Sequence, residues 1–280
     1  MEYSPTVRGR RLIREIGRLR HRSGLTMEVA VQRLGWSTSK LHRLENGRSR
    51  ISTDDLEDLL ELYGVRSPQR EALIQLGRDA RKRGWWTKYA DVFTGSYMSM
   101  ESEAAGIRIN AHVVPGIFQT ADYAREVVTR TRPAITAEDA ERRVAARIAR
   151  QEALFSRADP PEIHVVLDEA VLHRQVGGPA VTRGQLTALL EAGTRPDVTI
   201  QVLPFTAGAN AGMDGKFALL AFPHPDDPPV AYVEGLMGDV YVEDGEEVGR
   251  FSLAWTHLVT QALSPADSAG MISTLAKETL

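Results

Sequence analysis

Apolar residues recur at helical spacing through the first eighty positions. Leu12, Ile13, Ile16 and Leu19 fall on one stripe, with Arg11, Arg14, Arg18 and Arg22 mostly off it. Ser23-Gly24 ends that helix, and Thr26 caps a second with Val29, Ala30 and Leu34 inward. Gly35-Trp36 makes a short turn. Ser37 then caps a third helix, with Leu41 and Leu44 inward and Gly47 just past its end, where left-handed geometry suits glycine. Ser52-Thr53-Asp54-Asp55 is a capping box for a fourth helix carrying Leu56, Leu59, Leu60 and Tyr63. Ser67-Pro68 starts a fifth, with Leu73, Ile74 and Gly77 inward. The pattern predicts an all-α bundle of about five helices.

The helical period returns after the Trp85-Trp86 pair. Residues 100–157 read as helices, broken at Pro115-Gly116, with Thr120 capping a helix over 121–131. Thr136 caps a longer one that turns Val144, Ile148 and Phe155 inward and lines its other side with Arg142, Arg143, Arg147 and Arg150. From Pro160 the period changes. Ile163–Leu167, Val198–Leu203, Phe217–Phe222, Val230–Glu234 and Asp239–Glu243 are short β-branched or aromatic runs set off by Gly, Pro and Asp. A helix from Gly178-Pro179 to about Glu191 lies between the first two. Helices over 246–262 and 265–278 close the chain. The prediction is an α+β body with a mixed sheet of about five strands flanked by helices. The division falls at 1–83 and 84–280. The double Trp at that hinge reads as an interdomain seam, or else as one wall of a binding site.

Charge changes the picture of the head. Residues 1–50 hold twelve Lys and Arg against four acids, a net +8, so the other 230 residues carry −11 of the total −3. A basic head on an acidic body suggests that the head meets a polyanion. With 280 residues, 42% of them hydrophobic and 25% charged, the composition is that of a globular protein of two domains. No apolar run approaches the ~18 residues that span a bilayer. Met-Glu-Tyr-Ser-Pro opens no signal peptide, so a cytoplasmic, nucleoid-associated protein is expected. Cysteine is absent, which excludes disulfides, thiolate catalysis and Cys-ligated metal.

The second and third helices are short, adjacent and joined by a tight turn, the arrangement in which the second of the pair enters the major groove. The run Gly24-Leu25-Thr26-x-Glu28-Val29-Ala30-x3-Leu34-Gly35-Trp36-Ser37-x-Ser39-Lys40-Leu41-x-Arg43-Leu44-Glu45-Asn46-Gly47-Arg48 resembles the phage-repressor (Cro/C1, or XRE) type of helix-turn-helix. Thr38 and Ser39 open the third helix. Arg43 lies one turn beyond Ser39 on the same exposed face, within reach of guanine O6 and N7. The resemblance implies base contacts at these positions, with His42 at the margin. Lys40, Asn46, Arg48 and Thr26 are placed for phosphates, which position without specifying. Arg20 and Glu45 match a family pair that locks the first helix to the third. The family often carries Gln where this chain has Met27 and Thr38, so the resemblance implies no particular operator.

Val113–Ala124, His164–Glu169, Gly177-Gly178-Pro179 and Val202–Ala209 resemble the C-terminal domain (DUF5753) of the actinobacterial Scr1-type, antitoxin-like regulators. That resemblance implies a transcription regulator, expected to be a homodimeric repressor on an inverted repeat of double-stranded DNA. It also implies a small acidic partner protein encoded nearby.

Chemistry is harder to find. The seven histidines are scattered, none with zinc-ligand spacing, and no HExxH occurs, so no metal and no cofactor is expected. Asp168, Glu169 and His173 follow a strand end and read as a helix start with acids at its positive end. The loop Ala207–Lys216 fails as a phosphate loop because a strand follows Lys216, and it reads as a mobile connection. Gly235–Asp239 is a tight connection between strands. Two readings stay open. One is a dimeric DNA-binding regulator whose body receives a signal from a partner or ligand. The other is an antitoxin-like protein that chiefly holds its partner, which an acidic, aromatic surface around Trp85, Tyr232 and Tyr241 would favour. An enzyme is a distant third.

Overall fold

Four of the first five helices begin where a hydroxyl takes up an N–H that the helix cannot satisfy. The computed structural model describes residues 5–82, 84–93, 95–235 and 238–279. Three expectations fall on residues outside these: the domain boundary at Arg83, the opening Met-Glu-Tyr-Ser, and the middle of the Gly235–Asp239 connection. The chain folds into two compact units, residues 1–87 with 95–100 and residues 88–94 with 101–280.

The first unit, the head, contains α1 (Val7–Arg22), α2 (Met27–Leu34), α3 (Thr38–Glu45), α4 (Thr53–Leu62) and α5 (Gln69–Ala80). Thr6, Thr26, Ser37 and Ser52 cap the first four, each accepting from a backbone N–H three residues on. Each such cap contributes about 1 kcal/mol. α5 follows Pro68 without a side-chain cap. Ile16, Leu41, Leu56, Leu59 and Leu60 are fully buried and knit three of the helices into one core. Gly35, at φ 67°, ends α2 in the left-handed region, and the Trp36 N–H returns to the Val31 carbonyl at 2.9 Å. This 6→1 closure holds the α2–α3 connection to three residues.

A 3-10 turn over Trp85–Tyr89 follows, in which the Trp85 and Trp86 rings meet edge to face at 6.2 Å. α6 (Tyr97–Glu103) leads into the second unit, the body. There come β1 (Gly106–Ala111), α7 (Ala121–Thr131), α8 (Ala137–Phe155), β2 (Glu162–Asp168), α9 (Ala170–His173) and α10 (Pro179–Ala192). After them lie β3 (Val198–Leu203), β4 (Phe217–Ala221), β5 (Val230–Gly235), β6 (Gly238–Val242), α11 (Gly245–Gln261) and α12 (Pro265–Glu278). The sheet runs β3-β2-β1-β4-β5-β6. β2 pairs parallel with both β1 and β3, and the remaining pairs are antiparallel. Parallel neighbours need long crossovers, and α7–α8 and α9–α10 provide them.

The body is therefore α+β with a mixed sheet, but with six strands instead of about five. The added strand is β1, which lies in a stretch expected to be helical. Ile107 and Ile109 alternate with Arg108 and Asn110 there, a period of two over only two repeats. Its central place between β2 and β4 overrides the helical neighbourhood. One face of the sheet, with Val166, Leu219 and Ala231, packs with Val248, Trp255 and Leu258 of α11. The opposite face buries Ile107, Ile163, Val165 and Leu220.

Candidate nucleic-acid interface

α3 is eight residues long, and its orientation follows from two of them. Leu41 and Leu44 are 0% and 2% exposed, so the helix is pinned along that side. Ser37 Oγ accepts the Lys40 N–H at 3.2 Å and fixes its start. Thr38, Ser39, His42 and Arg43 are all exposed. Among the described residues, none of these four side chains makes a hydrogen bond or an ion pair. They form an outward polar row with its donors and acceptors open to solvent, ending in a guanidinium.

The residues expected at phosphates divide. Arg48 is exposed and its side chain has no partner among the described residues. Its backbone N–H donates to the Arg43 carbonyl at 2.8 Å, closing α3 around Gly47 at φ 64°. Asn46 donates its side-chain amide to the His42 carbonyl at 2.8 Å and so caps its own helix. Thr26 is exposed and accepts the Val29 N–H at 3.3 Å. Lys40 has partners within the head. Its ammonium lies 2.5 Å from Asp55 Oδ1 and 3.8 Å from the centre of the Trp36 ring. An ion pair and a cation–π contact hold it within the head, so the charge expected at a phosphate has an internal partner already.

Arg20 and Glu45 meet in two parallel hydrogen bonds of 2.7 and 3.0 Å, with side chains only 13% and 10% exposed. A third bond runs from Arg20 to the Leu25 carbonyl at 3.3 Å. The fork thus joins α1, the α1–α2 turn and the end of α3. The carboxylate raises the Arg20 pKa further above its ordinary value. Tyr63 lies within the influence of both charges. Burial pushes its phenol up to about 12, and its hydroxyl has no hydrogen-bond partner. Arg22 and Arg33 are also exposed and unpartnered among the described residues. The charge excess of the head announced such residues collectively, but no spacing singled them out.

The body's arginines are arranged differently. Arg142 forks onto Asp91, with Nη2 to Oδ1 at 2.6 Å, and holds that carboxyl down at about 2. Arg150 forks onto the buried Glu101 at 2.6 and 2.7 Å. Arg147 reaches only a neutral acceptor, Gln119 Oε1, at 2.5 Å. Burial, then the charges of Arg150, Arg132 and Arg143, lower it to about 10. The side of α8 expected to be lined by arginines is thus partly interior.

Other candidates have local partners. Asp168 accepts the Ala170 N–H at 2.8 Å, and Glu169 accepts the Phe205 N–H at 2.6 Å while meeting His173 Nε2 at 3.1 Å. Lys216 pairs with Glu234 at 2.7 Å, and Asn110 ties the preceding loop through the Gly215 carbonyl at 2.9 Å. Tyr232 and Tyr241 lie 5.3 Å apart on the edge strand β6 and its neighbour β5, with Glu234 and Asp239 beside them. No group of three or more His, Cys, Asp or Glu able to hold a metal ion occurs among the described residues. No described helix is long and apolar enough to cross a membrane.

Two family descriptions match the chain. A helix-turn-helix domain matches residues 11–73, which takes in α1 to α4 and the start of α5. A domain of unknown function, DUF5753, matches residues 94–274, well over half of the chain. No curated protein and no solved structure matches it significantly.

Proposed function

The chain belongs to the DUF5753 family and carries a helix-turn-helix domain, and on that premise we propose a sequence-specific DNA-binding transcription regulator, acting as a repressor. The observation that carries the reading is the outer face of α3. An eight-residue helix is about 12 Å long, and the major groove is about 12 Å wide. Thr38, Ser39 and Arg43 read base edges there, with His42 at the margin, and Arg43 is suited to bidentate contact with guanine. Arg48, Thr26 and Asn46 anchor the head on phosphates, and Lys40 steadies the start of α3. One short helix reads only a few base pairs, so specific affinity calls for a dimer on an inverted repeat, with half-sites about 34–36 Å apart or multiples of that. The body supplies the dimer contact and receives the signal, a small acidic partner protein or a ligand. The protein works in the cytoplasm, on the nucleoid, as a regulator and not as a catalyst. Residues 1–83 form the DNA-binding part and 84–280 the receiving part.

A second reading has its own support. Asp239, the exposed Val240 and Tyr241 lie on β6 at one edge of the sheet, with Tyr232 and Glu234 on its neighbour β5. Such an edge suits capture of a partner strand, with DNA binding then autoregulatory. Selection of bound duplexes from a random pool separates the two. It is run at two salt concentrations with full-length protein, with and without the small acidic partner. An inverted repeat enriched by the protein alone supports the regulator. No enrichment under any condition overturns it in favour of partner capture.

A further inference from the structure

An open surface cleft of about 460 Å³ lies in the body between the 88–93 segment and the junction of α7 with α8, lined by exposed and half-buried residues. Its apolar wall is Val92, Pro133, Ala134 and Ile135, and its polar groups are Asp91, Asp139, Arg132 and Arg143. The two acids already have donors. Asp91 takes both arms of Arg142. Asp139 accepts the Thr136 hydroxyl at 2.8 Å at the start of α8. The two arginines are not matched in this way. Arg143 is half-buried and has no side-chain hydrogen bond or ion pair among the described residues, not even with Asp139 one turn before it. Arg132 reaches only the hydroxyl of Thr131 at 3.2 Å.

The positive potential extends behind the cleft. Arg147 is largely buried with no carboxylate in hydrogen-bond contact, lowered to about 10 by burial and by Arg150, Arg132 and Arg143, with the Glu234 charge opposing them. Glu101, the buried acid on this side, is held by Arg150. A volume in the range of small-molecule sites, roughly 300–1,000 Å³, thus combines an apolar wall with two unmatched guanidinium groups. Guanidinium groups suit planar carboxylates, which accept two parallel N–H bonds. A bare inorganic anion would leave the apolar wall wet.

We propose that this cleft binds a small amphipathic organic acid, its carboxylate between Arg132 and Arg143 and its apolar body against Val92, Pro133, Ala134 and Ile135. The proposal goes beyond the DNA-binding reading and is tested without DNA. Octanoate, phenylacetate, 1-octanol and inorganic phosphate are titrated calorimetrically into the full-length protein. Saturable binding of either acid, with the alcohol and phosphate at least about tenfold weaker, is expected. The double variant Arg132→Ala/Arg143→Ala should weaken the acid at least about tenfold while its melting midpoint without ligand is unchanged. Ala134→Glu, which places a rival carboxylate beside the arginines at an exposed site, should do the same and covers the case in which the double variant folds poorly. Absence of acid binding, phosphate binding as tight as octanoate, or full binding by Ala134→Glu each overturns the proposal.

Discussion

The outer side of α3 and the arginine side of α8 look alike in sequence and differ in the folded chain. Both are polar faces of amphipathic helices that carry guanidinium groups, one on α3 and four on α8. On α3, Arg43 has no partner among the described residues, and Arg48 just beyond it has none either. On α8, Arg142 and Arg150 are each forked onto a carboxylate and Arg147 is half-buried against an amide, leaving only Arg143 of the four without a side-chain partner among the described residues. A count of basic residues treats these faces as equal. What separates them is whether the protein already supplies the counter-charge, because an arginine matched internally has little left to offer a polyanion. Lys40 shows that the distinction also runs within the head, since Asp55 and Trp36 hold it.

Substitutions that test this contrast fall in an order of size. Glu101→Ala leaves Arg150 without its carboxylate in a buried place, and it should destabilise the body by about 3–5 kcal/mol in denaturant unfolding. A loss below about 1 kcal/mol would put the α8 pairs in the same class as surface charges. Arg20→Ala should cost the head about 2–3 kcal/mol, and a double-mutant cycle with Glu45→Ala should show strong coupling. Additive effects in that cycle would mean that the fork does not hold α1 to α3. Arg43→Ala should leave stability within about 0.5 kcal/mol while weakening the cognate duplex by about 1–3 kcal/mol and relaxing one base position. Unchanged affinity and preference would remove α3 from the groove.

Lys40→Ala should cost about 0.5–1 kcal/mol of stability and leave the salt dependence of DNA binding nearly unchanged. A salt slope lower by about one would return Lys40 to the phosphates. The smallest effect is a pH effect. The Asp91 carboxyl titrates at about 2, below its ordinary 3.8, because of Arg142. Its contribution is therefore complete above about pH 4 and fades as pH falls through about 2. Acid unfolding of Asp91→Asn should differ from the parent above that window and converge with it below.

The head was legible because local signals agreed. Thr26, Ser37 and Ser52 cap, Leu41 and Leu44 bury, and Gly35 and Gly47 end helices, each within a few residues of its effect. The outward row on α3 followed from the two leucines alone. The Lys40–Asp55 pair was not legible, because it spans fifteen residues and a turn. β1 was missed because six residues carry little periodicity, and its strand character comes from neighbours more than fifty residues and more than a hundred residues away. Arg147 and Arg150 were placed only on the far side of α8, because periodicity sorts residues by whether they fall off the main stripe. It does not reveal that α8 is approached on that side as well. The cleft beside Arg143 was out of reach for the same reason, since its walls come from two separate stretches.

The brevity of α3 determines how the head can be silenced. Two turns of helix do not persist in water by themselves, where isolated helices shorter than about 12–15 residues are marginal. This one exists because Leu41 and Leu44 are buried and because Arg20 grips Glu45 at its far end. The outward row thus has no half-formed standby state. Loosening the core or the fork removes the outward row all at once, so under the proposed function occupancy of DNA would track the folding equilibrium of the head as an all-or-none quantity.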